Sequence, residues 1–178
     1  MNILLNTRHL FTFGFISCFV LLAFGYFLQF YQGLEPCALC IFQRIALAAC
    51  GIVFLVAAIH DPEKIASRLY GTLIILIAII GMALSGRHIW LQSLPPDQVP
   101  LCGPSLDYML DTMAFSDTIQ QVLKGSGDCA EVSWTFIGLS IPQWTLLWFI
   151  LFALIGLIRG WFGPAEQPRF ELYQNKQQ

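Results

Sequence analysis

Charged side chains are scarce in this chain of 178 residues: Asp, Glu, Lys and Arg together make up 11% of it, and the net charge is −2. An ordinary soluble domain carries about 25%. Such a small charge gives no basic footprint of the kind a nucleic-acid binder needs, so no nucleic acid is expected as a partner. Also missing is any sustained strand or helix periodicity in the apolar residues. They form 57% of the chain and fall into four blocks instead, which makes lipid the solvent. Cofactor signatures are few. There is no glycine-rich nucleotide loop, no C-x-x-C-H haem attachment, and neither a second C-x-x-C nor a histidine pair to complete a zinc site. What remains is one domain's worth of chain with six cysteines, whose positions decide what they mean.

The first apolar block, Leu10 to Tyr31, holds no charge and is long enough to cross a hydrocarbon core of about 30 Å. A cleaved signal peptide would be shorter and would end in small residues, whereas this block ends Phe27-Leu28-Gln29-Phe30-Tyr31. Block two runs from Ala38 to Ile59 and contains Arg44. After a short polar loop, His60 to Arg68, block three runs from Leu69 to about Leu91, with Arg87 and His88 near its far end. Block four begins near Gln143 and ends at Arg159. The pattern predicts an all-α integral membrane protein, a single membrane domain over 1–178. It would be a bundle of four transmembrane helices, about 10–31, 38–59, 69–91 and 143–162, with outer loops at about 32–37 and 92–142. Trp90, Trp144, Trp148 and Trp161 lie near the proposed ends, as an aromatic belt would have them. Gly156 and Gly160 make a GxxxG, a weak packing signal.

Orientation follows from the loop cations. Arg8, Lys64, Arg68, Arg159, Arg169 and Lys176 lie on one side; the long loop opposite has Lys124 alone among six acids. That loop is therefore expected outside, with both chain ends in the cytoplasm. Four cysteines, Cys37, Cys40, Cys102 and Cys129, then sit at or beyond the outer surface, in an oxidising compartment. Cys18 and Cys50, inside apolar blocks, are read as packing residues.

The chemistry is concentrated in Pro36-Cys37-Ala38-Leu39-Cys40-Ile41-Phe42-Gln43-Arg44. In a helix, Cys37, Cys40 and Arg44 fall at i, i+3 and i+7 and share a face. A proline-led start brings the positive end of the helix dipole close to Cys37, as a reactive thiol requires. Arg44 falls inside the apolar stretch, where an unpaired charge is expensive, so something anionic or electron-rich is expected opposite it. A structural disulfide or a pair of buried thiols competes with this reading, but neither accounts for an intramembrane arginine on the same face.

The loop from Ser93 to Pro142 is too long to be a mere connector. Leu106, Met109, Leu110, Met113, Ile119, Val122 and Leu123 recur near helical spacing. One or two short amphipathic helices are expected there, lying on the membrane surface or packing against the ends of the spans. Gly125-Ser126-Gly127-Asp128 breaks any helix before Cys129. A Cys102–Cys129 bridge would close a loop of roughly 28 residues, worth about 3–4 kcal/mol. Such a bridge is either a staple or, beside a C-x-x-C, a participant in thiol–disulfide exchange.

Together these residues resemble the disulfide bond formation protein B family, the quinone-linked thiol oxidases of the bacterial inner membrane. The resemblance covers nearly the whole chain. It rests on Glu35-Pro36-Cys37-Ala38-Leu39-Cys40 with Arg44, Arg87-His88 with Trp90, Cys102, Gly127-Asp128-Cys129-Ala130-Glu131 and Ile141-Pro142-Gln143-Trp144. It implies that Cys102 and Cys129 form the disulfide that reoxidises a soluble periplasmic thioredoxin-fold thiol oxidase, with Cys102 the site of the mixed disulfide. Cys37 and Cys40 would reoxidise that pair and pass two electrons to a membrane quinone, ubiquinone or menaquinone. Arg44 matches the quinone-adjacent arginine and His88 the histidine near the quinone head; no metal is implied. A soluble oxidant at about −120 mV needs a still more oxidising acceptor, which a lipid quinone can be and glutathione cannot. Two other readings stand beside it. A quinone reductase of the vitamin K epoxide reductase type would carry its C-x-x-C late in the chain. A four-span scaffold with structural disulfides would gain nothing from Arg44.

Overall fold

The computed structural model describes residues 7–101, 103, 104 and 106–161, so Cys102 lies outside the described residues. The order of elements is α1 (Thr7–Gln32), α2 (Ala38–His60), α3 (Lys64–Gln92), α4 (Leu106–Thr112), α5 (Phe115–Lys124), α6 (Gly127–Ala130), β1 (Thr135–Phe136), β2 (Leu139–Ser140) and α7 (Ile141–Trp161). Four of them, α1, α2, α3 and α7, are long and apolar enough to cross a membrane. The fold is the all-α four-span bundle that the apolar blocks predict, with the long loop between the third and fourth spans.

The helices outrun the apolar blocks where polar residues continue them. Asp61 closes α2 in a left-handed conformation (φ 47), its N–H donating to Ala57 O. Extended Glu63 then opens α3 at Lys64, so Lys64 and Arg68 lie on the helix rather than in the loop predicted from 60 to 68. At α7, Pro142 sits in the first turn, where its missing N–H leaves no bond unmade.

The tightest seam joins α3 to α7. A Cβ on Gly71 would come within 2.6 Å of Gly156 O, and Gly160 backs the same crossing. The GxxxG of α7 therefore meets a glycine of α3, as small residues do when helices approach closely in lipid. Phe11, Phe54, Phe149 and Phe152 fill the bundle centre with Ile74 and Ala78, and Cys18 and Cys50 are buried among them.

A second, smaller core lies at the loop end of the bundle. Leu39, Leu84 and Leu91 from the spans enclose Met109, Val122 and Cys129 from the loop. The loop thus packs on the helix ends. It also leaves Tyr108, Leu110, Met113, Phe115 and Leu123 exposed, as an amphipathic layer would. Arg87 fastens it further: Nε and Nη2 donate to Leu123 O and Lys124 O at 2.8 and 2.7 Å, and the guanidinium lies 4.1 Å from the Trp90 ring centroid. After α6 the chain makes a hairpin, Thr135 facing Ser140 and Phe136 facing Leu139. Its two turn residues, Ile137 (φ 52) and Gly138 (φ 77), are both left-handed, as a tight hairpin twist demands. Ser140 Oγ donates to Gln92 Oε1 at 2.9 Å, tying the hairpin to the end of α3.

Candidate functional site

Cys37 is the extended residue that precedes α2 (φ −66, ψ 167), and its carbonyl accepts the first helical bond from Ile41 N. Cys40 lies in the first turn. The two sulfurs are 3.6 Å apart, Cys37 donating, and both are free thiols. His88 of α3 faces them both: Nε2 is 4.0 Å from Cys37 Sγ and Nδ1 is 4.0 Å from Cys40 Sγ. It is only 3% exposed, a buried residue between helices rather than an interfacial one.

Behind His88 stands a chain of polar side chains. Gln43 Nε2 is 3.4 Å from His88 Nδ1, and Thr145 Oγ1 donates to Gln43 Oε1 at 3.3 Å. Thr145 also meets Ser85 at 3.2 Å. Buried polar groups are retained when each has a partner, and these link α2, α3 and α7 around the thiols.

Cys129, in the loop, is buried against the same turn of α2. Its thiol is held well above the ordinary thiol range, first by a hydrogen bond to Cys37, then by burial and by the charge of Cys37; the backbone N–H of Leu39 at its sulfur works weakly the other way. Three thiols therefore stand in series, Cys129 to Cys37 to Cys40. The residues flanking Cys102 run alongside: Gly127 N donates to Leu101 O at 3.3 Å, and a Cβ on Gly103 would lie 3.3 Å from Ser126 Cβ.

One face of this cluster opens on a cavity of about 580 Å³. Cys37, Cys40, Arg44 and His88 lie on its polar wall together with the carboxylates of Glu35, Asp128 and Glu131, and Phe24, Leu28 and Leu47 on its apolar one. Trp134, Phe136 and Trp144 form an aromatic side: Trp134 and Phe136 are stacked at 11° with centroids 6.0 Å apart, and Phe24 meets Trp134 edge-on at 5.5 Å. Trp144 Nε1 donates to Phe136 O at 3.1 Å, locking the hairpin to α7. Arg44 reaches across to α1. Nη1 donates to Gln29 Oε1 at 2.5 Å, Nη2 to Gly25 O at 3.0 Å, and the guanidinium lies 5.0 Å from the Tyr26 ring centroid. The electron-rich partners expected opposite Arg44 are thus neutral oxygens and a π face, so the charge itself is not neutralised by them.

Five of the six residues singled out from the sequence come together here: Cys37, Cys40, Arg44 and His88 around the cavity, and Cys129 beside Cys37. Position 102 lies outside the described residues. Sequence reasoning missed Gln43, although a second polar residue three positions after Cys40 in an apolar block was a usable signal. The aromatic side left no such signal, because Trp134 and Phe136 reach the cavity only through the hairpin.

The chain matches the family model for disulfide bond formation protein DsbB over residues 7–158. It is 48% identical over 153 residues to disulfide bond formation protein B of Nitrosococcus oceani, covering 86% of this chain and 90% of that protein. The protein of the same name from Marinobacter nauticus is 48% identical over 153 residues, 86% of this chain and 91% of the relative. The one from Xylella fastidiosa is 44% identical over 158 residues, 88% and 91% respectively.

Proposed function

The chain belongs to the disulfide bond formation protein B family, and from that membership we propose that it is a thiol:quinone oxidoreductase. It would reoxidise a soluble thioredoxin-fold dithiol oxidase and pass the electrons to ubiquinone or menaquinone, sustaining disulfide formation outside the cytoplasm. The observation that carries this reading is the pair of thiols 3.6 Å apart on the wall of a cavity that also presents Arg44 and His88.

The residues present fit a quinone head. The cavity offers flat aromatic surface for a ring, apolar walls for a tail, and cationic or imidazole donors for carbonyl oxygens. When bound, a quinone supplies a sink for two electrons and two protons. The rest of the work falls to side chains. A thiolate of the soluble partner attacks the Cys102–Cys129 bridge at Cys102. The partner leaves as a disulfide, and Cys102 and Cys129 remain as thiols. Cys129 then attacks Cys37 and releases Cys40, and Cys102 closes on Cys129 to free Cys37. The outer bridge is restored and Cys37 and Cys40 hold two electrons and two protons. Arg44 stabilises negative charge that develops on the cavity side. His88, 4.0 Å from each sulfur, takes up and passes on a thiol proton.

This reading sets the chain in the bacterial inner membrane with both ends cytoplasmic and the four redox cysteines facing the periplasm, supported by the one-sided distribution of Lys and Arg. The experiment is oxygen-free turnover of purified protein with a reduced thioredoxin-fold partner, with and without quinone. Stoichiometric quinone loss that disappears in Cys40→Ser is expected. No quinone reduction, with both disulfides intact, would leave a stapled membrane scaffold as the better reading.

A further inference from the structure

Cys37, Cys40 and His88 present two sulfurs and an imidazole nitrogen within 4.8 Å of one another. A tetrahedral zinc ion with bonds of about 2.3 Å to sulfur and about 2.05 Å to nitrogen sets its ligand atoms about 3.8 Å apart for two sulfurs and about 3.6 Å for sulfur and nitrogen. The observed separations are 3.6 Å between the sulfurs and 4.0 Å from Cys37 Sγ to His88 Nε2. These two differ from the ideal by a few tenths of an ångström, and with all three ligand atoms within 4.8 Å of one another a side-chain rotation closes the set. From these distances we propose that the reduced dithiol, with His88, is a binding site for a thiophilic divalent cation such as zinc or cadmium.

Three further features fit. Cys37 is the residue that caps α2, Cys40 lies in its first turn and His88 stands on α3, packed against it, so the site is largely preformed. The cavity lies on the open side, leaving the fourth position for water or an exogenous ligand. Gln43 supplies the outer partner that a ligating histidine needs. A half-turn of its amide sets Oε1 to accept from Nδ1–H, turns Nε2 toward Thr145, and leaves the Nε2 lone pair of His88 for the metal. The sequence argument against zinc sought a second motif along the chain, whereas the third ligand arrives from another helix.

Binding exchanges protons for metal: one M²⁺ and two thiols give a bis-thiolate complex and two H⁺, with no change of oxidation state. It competes with disulfide formation for the same sulfurs, so the cation captures only the reduced enzyme. Binding rests on geometry alone. The consequence that zinc arrests turnover rests on the proposed thiol-to-quinone reaction.

The test titrates Co²⁺ alone into the full chain in detergent, reduced and then freed of reductant. One Co²⁺ per chain is expected, with thiolate-to-cobalt charge transfer and tetrahedral visible bands that Zn²⁺ displaces. Both signals should be missing when Cys37 and Cys40 are first oxidised to their disulfide, a control that needs no substitution. Cys40→Ser should remove the site, and His88→Ala or Gln43→Leu should weaken it by about tenfold or more. A featureless octahedral spectrum would overturn the proposal. So would charge transfer that survives Cys40→Ser and vanishes in Cys129→Ser. Quinone turnover is measured in parallel. Cobalt binding without any quinone reduction would sink the thiol oxidase reading and keep the metal site. Turnover unaffected by saturating zinc, with no charge transfer, would sink the metal site and keep the oxidase.

Discussion

Arg44 keeps a full positive charge beside the cavity while its hydrogen bonds go to neutral oxygens on α1. Its charge is therefore available to whatever develops negative charge next to Cys40. Replacing it by Met should lower quinone turnover by about 100-fold, the usual effect of losing one charge-stabilising donor. Lys should recover only part, because an ammonium cannot span Gln29 Oε1 and Gly25 O as the guanidinium fork does. Steady-state quinone reduction measures both, and unchanged turnover in Arg44→Met would refute the charge argument. Cys129 gives a prediction in pH. Its folded thiol is raised, chiefly by the hydrogen bond to Cys37, so it keeps its proton where an ordinary thiol at about 8.5 is already losing one. The sign follows: its contribution to stability is intact below the unfolded thiol's pKa and declines as pH rises past it. Alkylation of Cys129 in the reduced chain should climb about tenfold per pH unit without levelling off near pH 9. Cys37→Ala, by removing the largest cause, should bring the plateau back toward an ordinary thiol's.

Helices and hairpin differ in how far they could be read in advance. Four apolar stretches announce four spans, because hydrocarbon selects for side chains regardless of partner. Their true ends were less legible: α3 begins at Lys64 since caps and polar turns continue a helix where hydropathy has already stopped. The hairpin left almost no trace. It has two residues per strand and Phe136-Ile137-Gly138-Leu139 at its tip, without the Asn-Gly or Asp-Gly pair that marks such turns. Ile137 is in fact a poor tenant there, a β-branched residue at φ 52 with its side chain 77% exposed. Ile137→Asn should raise the thermal midpoint in detergent, relieving about 1 kcal/mol of backbone strain; a lowered midpoint would mean that the exposed side chain serves a contact. The α3–α7 seam predicts the opposite sign. Gly156→Val adds atoms where a Cβ would lie 2.8 Å from Gly71 O, and should cost about 1–3 kcal/mol in a denaturation series.

At the scale of the whole molecule, a lipid-facing bundle and a loop-borne layer meet at one turn of helix. The two layers were legible separately, as apolar blocks and as a cysteine-bearing loop. Their contact was not, since nothing in the spacing of Cys37 and Cys129 says that they touch. That contact has a kinetic consequence. A sulfur holds one S–S bond at a time, and Cys37 stands between two candidates, Cys40 on its own helix and Cys129 above it. Joined to Cys129, it leaves Cys40 as the cavity's lone thiol; joined to Cys40, it leaves Cys129 free to pair elsewhere. Under the proposed thiol-to-quinone reaction, the protein is a turnstile that serves the soluble dithiol and the membrane quinone in turn and never together. Its double-reciprocal plots, with one substrate varied at several fixed levels of the other, should be parallel, and lines that intersect would mean that both clients are held at once.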